Sequence, residues 1–164
     1  MRKWLFLTIL IVLATSCTPM YVWRSTPQVE IKANDIFDVE LEPISIIKNQ
    51  YNGFRLKINN RTRHDLELNW DKTLYLDKDM TNGGVMFEGI LYKERNAQKS
   101  PDIIFASSTF EKKIFPNNLV EFAGNHWIHR PLPGGYQGVY LTIVSNGKEI
   151  HEKVTVHISI HKHQ

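Results

Sequence analysis

Residues 139–161 read VYLTIVSNGKEIHEKVTVHISIH, and the reading of this stretch decides the fold. Residues 139–144 are β-branched, aromatic or aliphatic, Asn146-Gly147 is the preferred pair for a two-residue hairpin turn, and residues 150–161 return with a period of two. Asparagine and glycine suit that turn because both tolerate positive φ. In the returning segment Val154, Val156, Ile158 and Ile160 fall on one face, with Thr155, His157, Ser159 and His161 on the other. The sequence therefore predicts an antiparallel hairpin at this end of the chain.

The same period recurs towards the amino terminus. Phe54, Leu56 and Ile58 alternate with Arg55, Lys57 and Asn59, and Phe37, Val39 and Leu41 alternate with Asp38, Glu40 and Glu42 until Pro43 interrupts. Residues 44–48 offer a further strand. Asn59-Asn60-Arg61-Thr62 is turn chemistry, after which Leu66, Leu68 and Trp70 resume the alternation, followed by residues 74–76. Asn82-Gly83-Gly84 predicts a turn before a strand over 85–92, and residues 93–101 read as a polar loop. Residues 103–105, 110–115 and 119–122 are shorter extended pieces, and Pro131, Pro133, Gly134, Gly135 and Gly138 shape the loop after Trp127. No helical periodicity of useful length follows residue 17, and no internal repeat is present. About eight or nine short strands with regularly spaced turn signals predict an all-β, antiparallel sandwich over residues 35–164.

The amino end has a different character. Arg2 and Lys3 precede an apolar run over residues 4–14 broken only by Thr8, and Ala14-Thr15-Ser16 brings small residues up to Cys17, the sole cysteine. These are the charged, apolar and cleavage parts of a secretory signal peptide. The run is too short to span a bilayer, which takes roughly 20 apolar residues. With a cysteine directly after the small residues, the segment resembles the lipobox of bacterial lipoproteins, departing from it in having Ala14 where leucine is usual and Leu13 one place earlier. The resemblance implies a signal peptide over residues 1–16, cleavage between Ser16 and Cys17, a diacylglyceryl group on Cys17 and acylation of the new amino terminus. A plain signal peptide cut near a cysteine is the alternative. Thr18, where aspartate marks inner-membrane retention, implies the periplasmic face of the outer membrane if the host is Gram-negative. Residues 17–34 read as a lipidated tether reaching on the order of 55 Å when extended, within which Trp23 either rests at the membrane interface or docks on the domain.

Within the β-region, Phe54-x-Leu56-x-Ile58-Asn59-Asn60, Leu68-x-Trp70-Asp71, Tyr75-x-Asp77, Gln98, Pro101 and Ser108 form a pattern similar to small, uncharacterised bacterial lipoproteins. That resemblance implies an immunoglobulin-like sandwich and an envelope address, and carries no activity with it.

Composition narrows the function classes. The chain of 164 residues has 20 Lys+Arg against 17 Asp+Glu; without Arg2 and Lys3 the balance is 18 to 17, so the exported part is near neutral and nothing points to nucleic acid. With its one cysteine taken by lipid, the domain forms no internal disulfide and depends on its core. No serine or cysteine sits in a strand-to-helix elbow, and no glycine-rich phosphate cradle opens a helix. The sequence predicts no enzyme activity and no cofactor.

Two metal constellations compete with plainer readings. Asp77-x-Asp79-x-Thr81-x-Gly83 with Glu88 imitates the oxygen spacing of a calcium loop, but Asn82 replaces the sharp-turn glycine and the flanks are strands, which favours a polar hairpin tip. His151, His157 and His161 share a strand face, with His163 able to join them, yet His157 and His161 are about 13 Å apart on an extended strand, too far to share one zinc. Trp70 and Trp127 read first as core residues. Trp127 and Tyr136, at either side of the Pro/Gly loop, are the candidates for an exposed surface that contacts an envelope protein. A small-ligand or metal-handling role for the histidine face or the acidic turn is the alternative.

Overall fold

The computed structural model describes residues 21–47 and 49–162. Ser16, Cys17 and His163 lie outside the described residues. In chain order the strands are β1 (Tyr21–Thr26), β2 (Glu30–Ala33), β3 (Phe37–Ile44), β4 (Gly53–Asn60), β5 (Leu66–Leu68), β6 (Leu74–Asp77) and β7 (Met80–Phe87). They continue as β8 (Asp102–Ile104), β9 (Thr109–Pro116), β10 (Val120–Phe122), β11 (Trp127–His129), β12 (Gly135–Ser145) and β13 (Lys148–Lys162). Two single-turn 3₁₀ segments, Tyr92–Glu94 and Asn117–Leu119, are the helical structure among the described residues.

The expectation of an all-β, antiparallel chain holds. The hairpin is the axis of the fold: β12 and β13 pair from Ser145↔Lys148 to Gly135↔Ile158, with Asn146 (φ 49°) and Gly147 (φ 75°) in the turn. Around it the order is β1-β13-β12-β6-β7-β9-β4-β3-β2, with β5 on β12 and β8 on β5, an 11-stranded sheet; β10 and β11 form a separate ribbon. The sheet curls into a half-barrel, and β13 comes back into contact with β2 and β3. Its two halves are joined by hydrogen bonds through β7, whose first residues pair with β6 and whose last pair with β9.

Alternation dictates the core. Phe37, Val39 and Leu41 of β3, Phe54, Leu56 and Ile58 of β4, Val139, Leu141 and Ile143 of β12 and Val154, Val156 and Ile158 of β13 project inward and are fully or almost fully buried in one cluster. Each such side chain contributes roughly 1.5–3 kcal/mol by leaving water. Trp70 joins them, its Nε1 donating to Asp102 Oδ2 at 2.8 Å. Ile160, on the same parity, runs beyond β12 and is exposed. On the outer face the cross-strand partners are charged: Lys57 Nζ lies 2.9 Å from Glu40 Oε1 and Arg55 Nη1 2.6 Å from Glu42 Oε2.

Three local expectations are corrected. Residues 21–26 and 30–33 are strands, not tether: β1 pairs with the free edge of β13 from Tyr21↔Lys162 to Thr26↔His157, and β2 pairs with β3. Trp23 docks on the domain, its Nε1 donating to Leu132 O at 2.8 Å. What hid β1 is its lack of alternation, three apolar or aromatic residues followed by three polar ones, which an edge strand over one half-covered face tolerates. The second correction concerns the hairpin after β6. Its turn lies at Lys78 (φ 50°) and Asp79 (φ 64°), while Gly83 (φ 84°) forms a bulge opposite Tyr75 that bends β7 towards β9. Thirdly, Pro43 stays inside β3, opposite Phe54, because β2 ends its pairing at Leu41 and leaves that edge uncovered.

Candidate functional site

The ribbon β10–β11 builds the most distinctive surface. Pro116 ends β9, the 3₁₀ turn at Asn117–Leu119 reverses direction, and the ribbon closes through Gly124 (φ 70°). Val120 packs on Met86 and Phe115 in a second, smaller apolar cluster bordered by Ile44 and Ile90. This cluster lies on the outer face of the main sheet, since Phe115 and Met86 have the opposite parity to the buried Ile114 and Val85. Gly53 makes it fit: a Cβ there would stand 2.4 Å from Phe115 Cδ1 and 2.6 Å from Ile114 O.

Between the ribbon and the sheet runs a groove of about 390 Å³, walled by Ile44, Ile46, Met86, Ile90, Phe115 and Trp127. Its polar lining is Ser45, Arg55, Lys113, Glu88 and His129. Arg55 pairs with Glu42 and lies near Glu111 (Nε–Oε1 3.4 Å), while its register partner Lys113 makes no ion pair among the described residues and leaves a positive charge on that side. His129 packs at a tilt on Phe115 with ring centres 4.6 Å apart, and its buried Nδ1 has no hydrogen-bond partner among the described residues. Burial pushes the His129 pKa below the ordinary histidine value, because leaving water disfavours the charged ring.

On the ribbon's other rim Trp127, Phe122 and Tyr92 gather into an aromatic trio, with ring centres 5.3 Å (Phe122–Trp127), 5.5 Å (Tyr92–Trp127) and 6.0 Å (Tyr92–Phe122) apart. The Arg95 guanidinium stands 4.0 Å above the Tyr92 ring. Trp127 is 36% exposed, which corrects its first reading as a core residue and leaves Trp70 as the buried one.

Asn52 holds this region together. The side chain is fully buried; Oδ1 accepts from the amides of Ile46 and Ile47, both at 3.2 Å, and Nδ2 donates to His129 O at 3.0 Å. It thus ties the loop after β3 to β11. Sequence reasoning passed over Asn52 because a turn asparagine and a buried structural asparagine look alike without coordinates.

The structure scatters the other candidates. Tyr136 is exposed on β12, edge-on to His157 at 5.1 Å, and makes no ring contact with Trp127. His151 stacks on Tyr140 at 5.4 Å with Nδ1 3.1 Å from Thr142 Oγ1, and His161 Nε2 lies 3.1 Å from Ser159 Oγ. Each histidine therefore has its own neighbours. Asp77 accepts from Gln137 Nε2 at 2.7 Å, Asp79 pairs with Lys153 at 2.8 Å, and Glu88 lies in the groove wall. Among the described residues no three His, Cys, Asp or Glu come together as a metal site.

One arrangement was missed. Lys112 sits opposite Leu56 with inward parity, its ammonium bonded to Asp102 and lying 4.1 Å from the Phe87 ring centre, 5.4 Å from Trp70 and 5.5 Å from Phe110. The signal was legible as a lysine between Phe110 and Ile114 at positions that alternate inward. Comparison with protein-family models, curated proteins and solved structures found no match. No helix among the described residues is long and apolar enough to cross a membrane.

Proposed function

We propose that this chain is a lipid-anchored, non-catalytic module of the bacterial cell envelope that works by contact with another envelope protein. Two features support the reading: the lipobox-like run ending at Cys17, and an all-β domain that leaves an aromatic ribbon facing solvent. The observation that carries it is the Tyr92–Phe122–Trp127 trio. Aromatic residues beside an arginine are the side chains that dominate protein interfaces, and here they flank an apolar groove. In this reading the half-barrel is an immunoglobulin-like sandwich whose layers are stitched by β7, its periplasmic placement follows from Thr18 after the lipidated cysteine, and Tyr136 lies outside the contact.

A photo-cross-linking residue at Phe122, in the intact chain expressed in its host, tests the contact. The expected result is one discrete protein adduct, retained when His151, His157 and His161 are replaced together and lost with Trp127→Ala. No reproducible adduct at Phe122, with the protein present and folded in the membrane fraction, refutes the contact. Loss of the adduct on replacing the three histidines would favour the ligand-handling role instead.

A further inference from the structure

The tether is much shorter than the sequence suggests, and this changes what the domain touches. β1 starts at Tyr21, so only four residue steps separate it from Cys17, at most about 14 Å of extended chain. The strand cannot peel away cheaply. It is paired over six residues with β13, and Trp23 is bound through its ring to Leu132 O and through its backbone amide to Asn49 O at 3.2 Å.

At the end of the molecule where β1 begins, apolar side chains are left in water. Tyr21 is 47% exposed, Ile46 51%, Ile47 45% and Ile160 40%. They are neighbours through the contacts already described: Ile160 pairs with Trp23, Trp23 with Asn49 and Leu132, and Asn52 holds the Ile46–Ile47 loop beside β11. Exposed cations lie on the same pair of strands. Lys162 is the register partner of Tyr21 on the same face, Arg24 projects from the opposite face of β1 beside Ser159, and neither is ion-paired among the described residues. On the outer face of β3, β4 and β9, by contrast, Arg55 and Lys57 are matched by carboxylates across the strands.

We infer that this end of the domain, built on Tyr21, Ile46, Ile47 and Ile160, seats in the headgroup region of the bilayer. Apolar and aromatic side chains rimmed by lysine and arginine suit that zone, where tyrosine rings and basic groups are favoured and anionic headgroups attract the cations. The inference rests on the lipid at Cys17, which holds this end within reach of the surface. Seating fixes the domain's orientation and sets the Trp127 ribbon, across the groove from Ile46, at membrane height, where its partner must also be.

The test uses the lipidated full-length protein in vesicles containing anionic lipid, with Ile47→Cys or, as the distant control, Asn146→Cys labelled with an environment-sensitive fluorophore. The expected result is a blue shift at residue 47 on vesicle addition and loss of its emission with headgroup-depth quencher lipids, with neither change at residue 146. Equal, water-like emission at both positions while the protein sediments with vesicles overturns the seating but leaves the anchor intact. An unmodified Cys17 overturns both. A blue shift at residue 47 that precedes vesicle addition and disappears on dilution identifies a second copy of the chain as the occupant and overturns the seating.

Discussion

Replacing Asn52 by alanine removes the pin between the loop after β3 and the ribbon. Three hydrogen bonds go at once: two amides, from Ile46 and Ile47, lose their acceptor, and the His129 carbonyl loses its donor. A net 0.5–1.5 kcal/mol per bond, with water able to reach some of these half-buried groups, gives about 2–4 kcal/mol of lost stability. For a domain of this size that corresponds to a melting temperature lower by roughly 8–15 °C. Asn52→Asp keeps the acceptor for the two amides but sets a carboxylate against the His129 carbonyl, so it should be at least as damaging. Thermal unfolding followed by circular dichroism gives the loss, and Trp127 emission in the native state reports the loosened ribbon. A fall of less than about 2 °C for Asn52→Ala, with unchanged tryptophan emission, would refute the assignment of Asn52 as the pin.

The remaining predictions concern the hairpin, the charged enclosure and the groove. Gly138→Ala would put a Cβ 2.0 Å from Val154 O and 2.7 Å from Thr155 Cα, both backbone, so it should cost at least about 3 kcal/mol, the top of the usual overpacking range; a denaturant midpoint within error of wild type contradicts the close approach. Lys112→Ala strips Asp102 of one of its two donors and empties the ring enclosure, and a loss of about 1–3 kcal/mol is expected by urea unfolding, with a shift in Trp70 emission. His129 gives a pH effect of known sign. Its folded pKa is depressed, so the unfolded chain takes up the proton first: the contribution to stability is full above about pH 6.5 and is lost as pH falls through the folded value. Urea midpoints at pH 7.5 and 5.5 should therefore fall less in His129→Phe than in wild type.

What was legible in the sequence follows from how strongly each residue's environment is written in its neighbours. The hairpin's turn and the faces of β13 could be read, because Asn146-Gly147 fixes the turn and the period of two fixes the faces, but residues 135–138 of β12 read as loop because of their glycines; β4 was equally legible, and β3 as far as Pro43, which read as a break. Trp70 was legible as core for the same reason. The turn after β6 was misplaced because Asn82-Gly83 carries the usual turn chemistry, whereas the chain turns at Lys78-Asp79, where a lysine takes positive φ and only pairing of Asp77 with Met80 reveals it. β1 was not legible: it gains its place from the uncovered edge of β13, a property of the partner and not of its own residues. The site was half visible. Trp127 was singled out, but Phe122 and Tyr92 reach it only through the folding of the ribbon over Phe115, and Asn52 only through the 77-residue separation from His129.

Lipid attachment at Cys17 underlies both the proposed contact and the seating on the bilayer, and intact-mass measurement of the protein extracted from membranes tests it directly. The account predicts a chain beginning at residue 17 that carries a diacylglyceryl group on the cysteine sulfur and an acyl group on its amino terminus. A product with a free Cys17 thiol, or one that still retains residues 1–16, would contradict it.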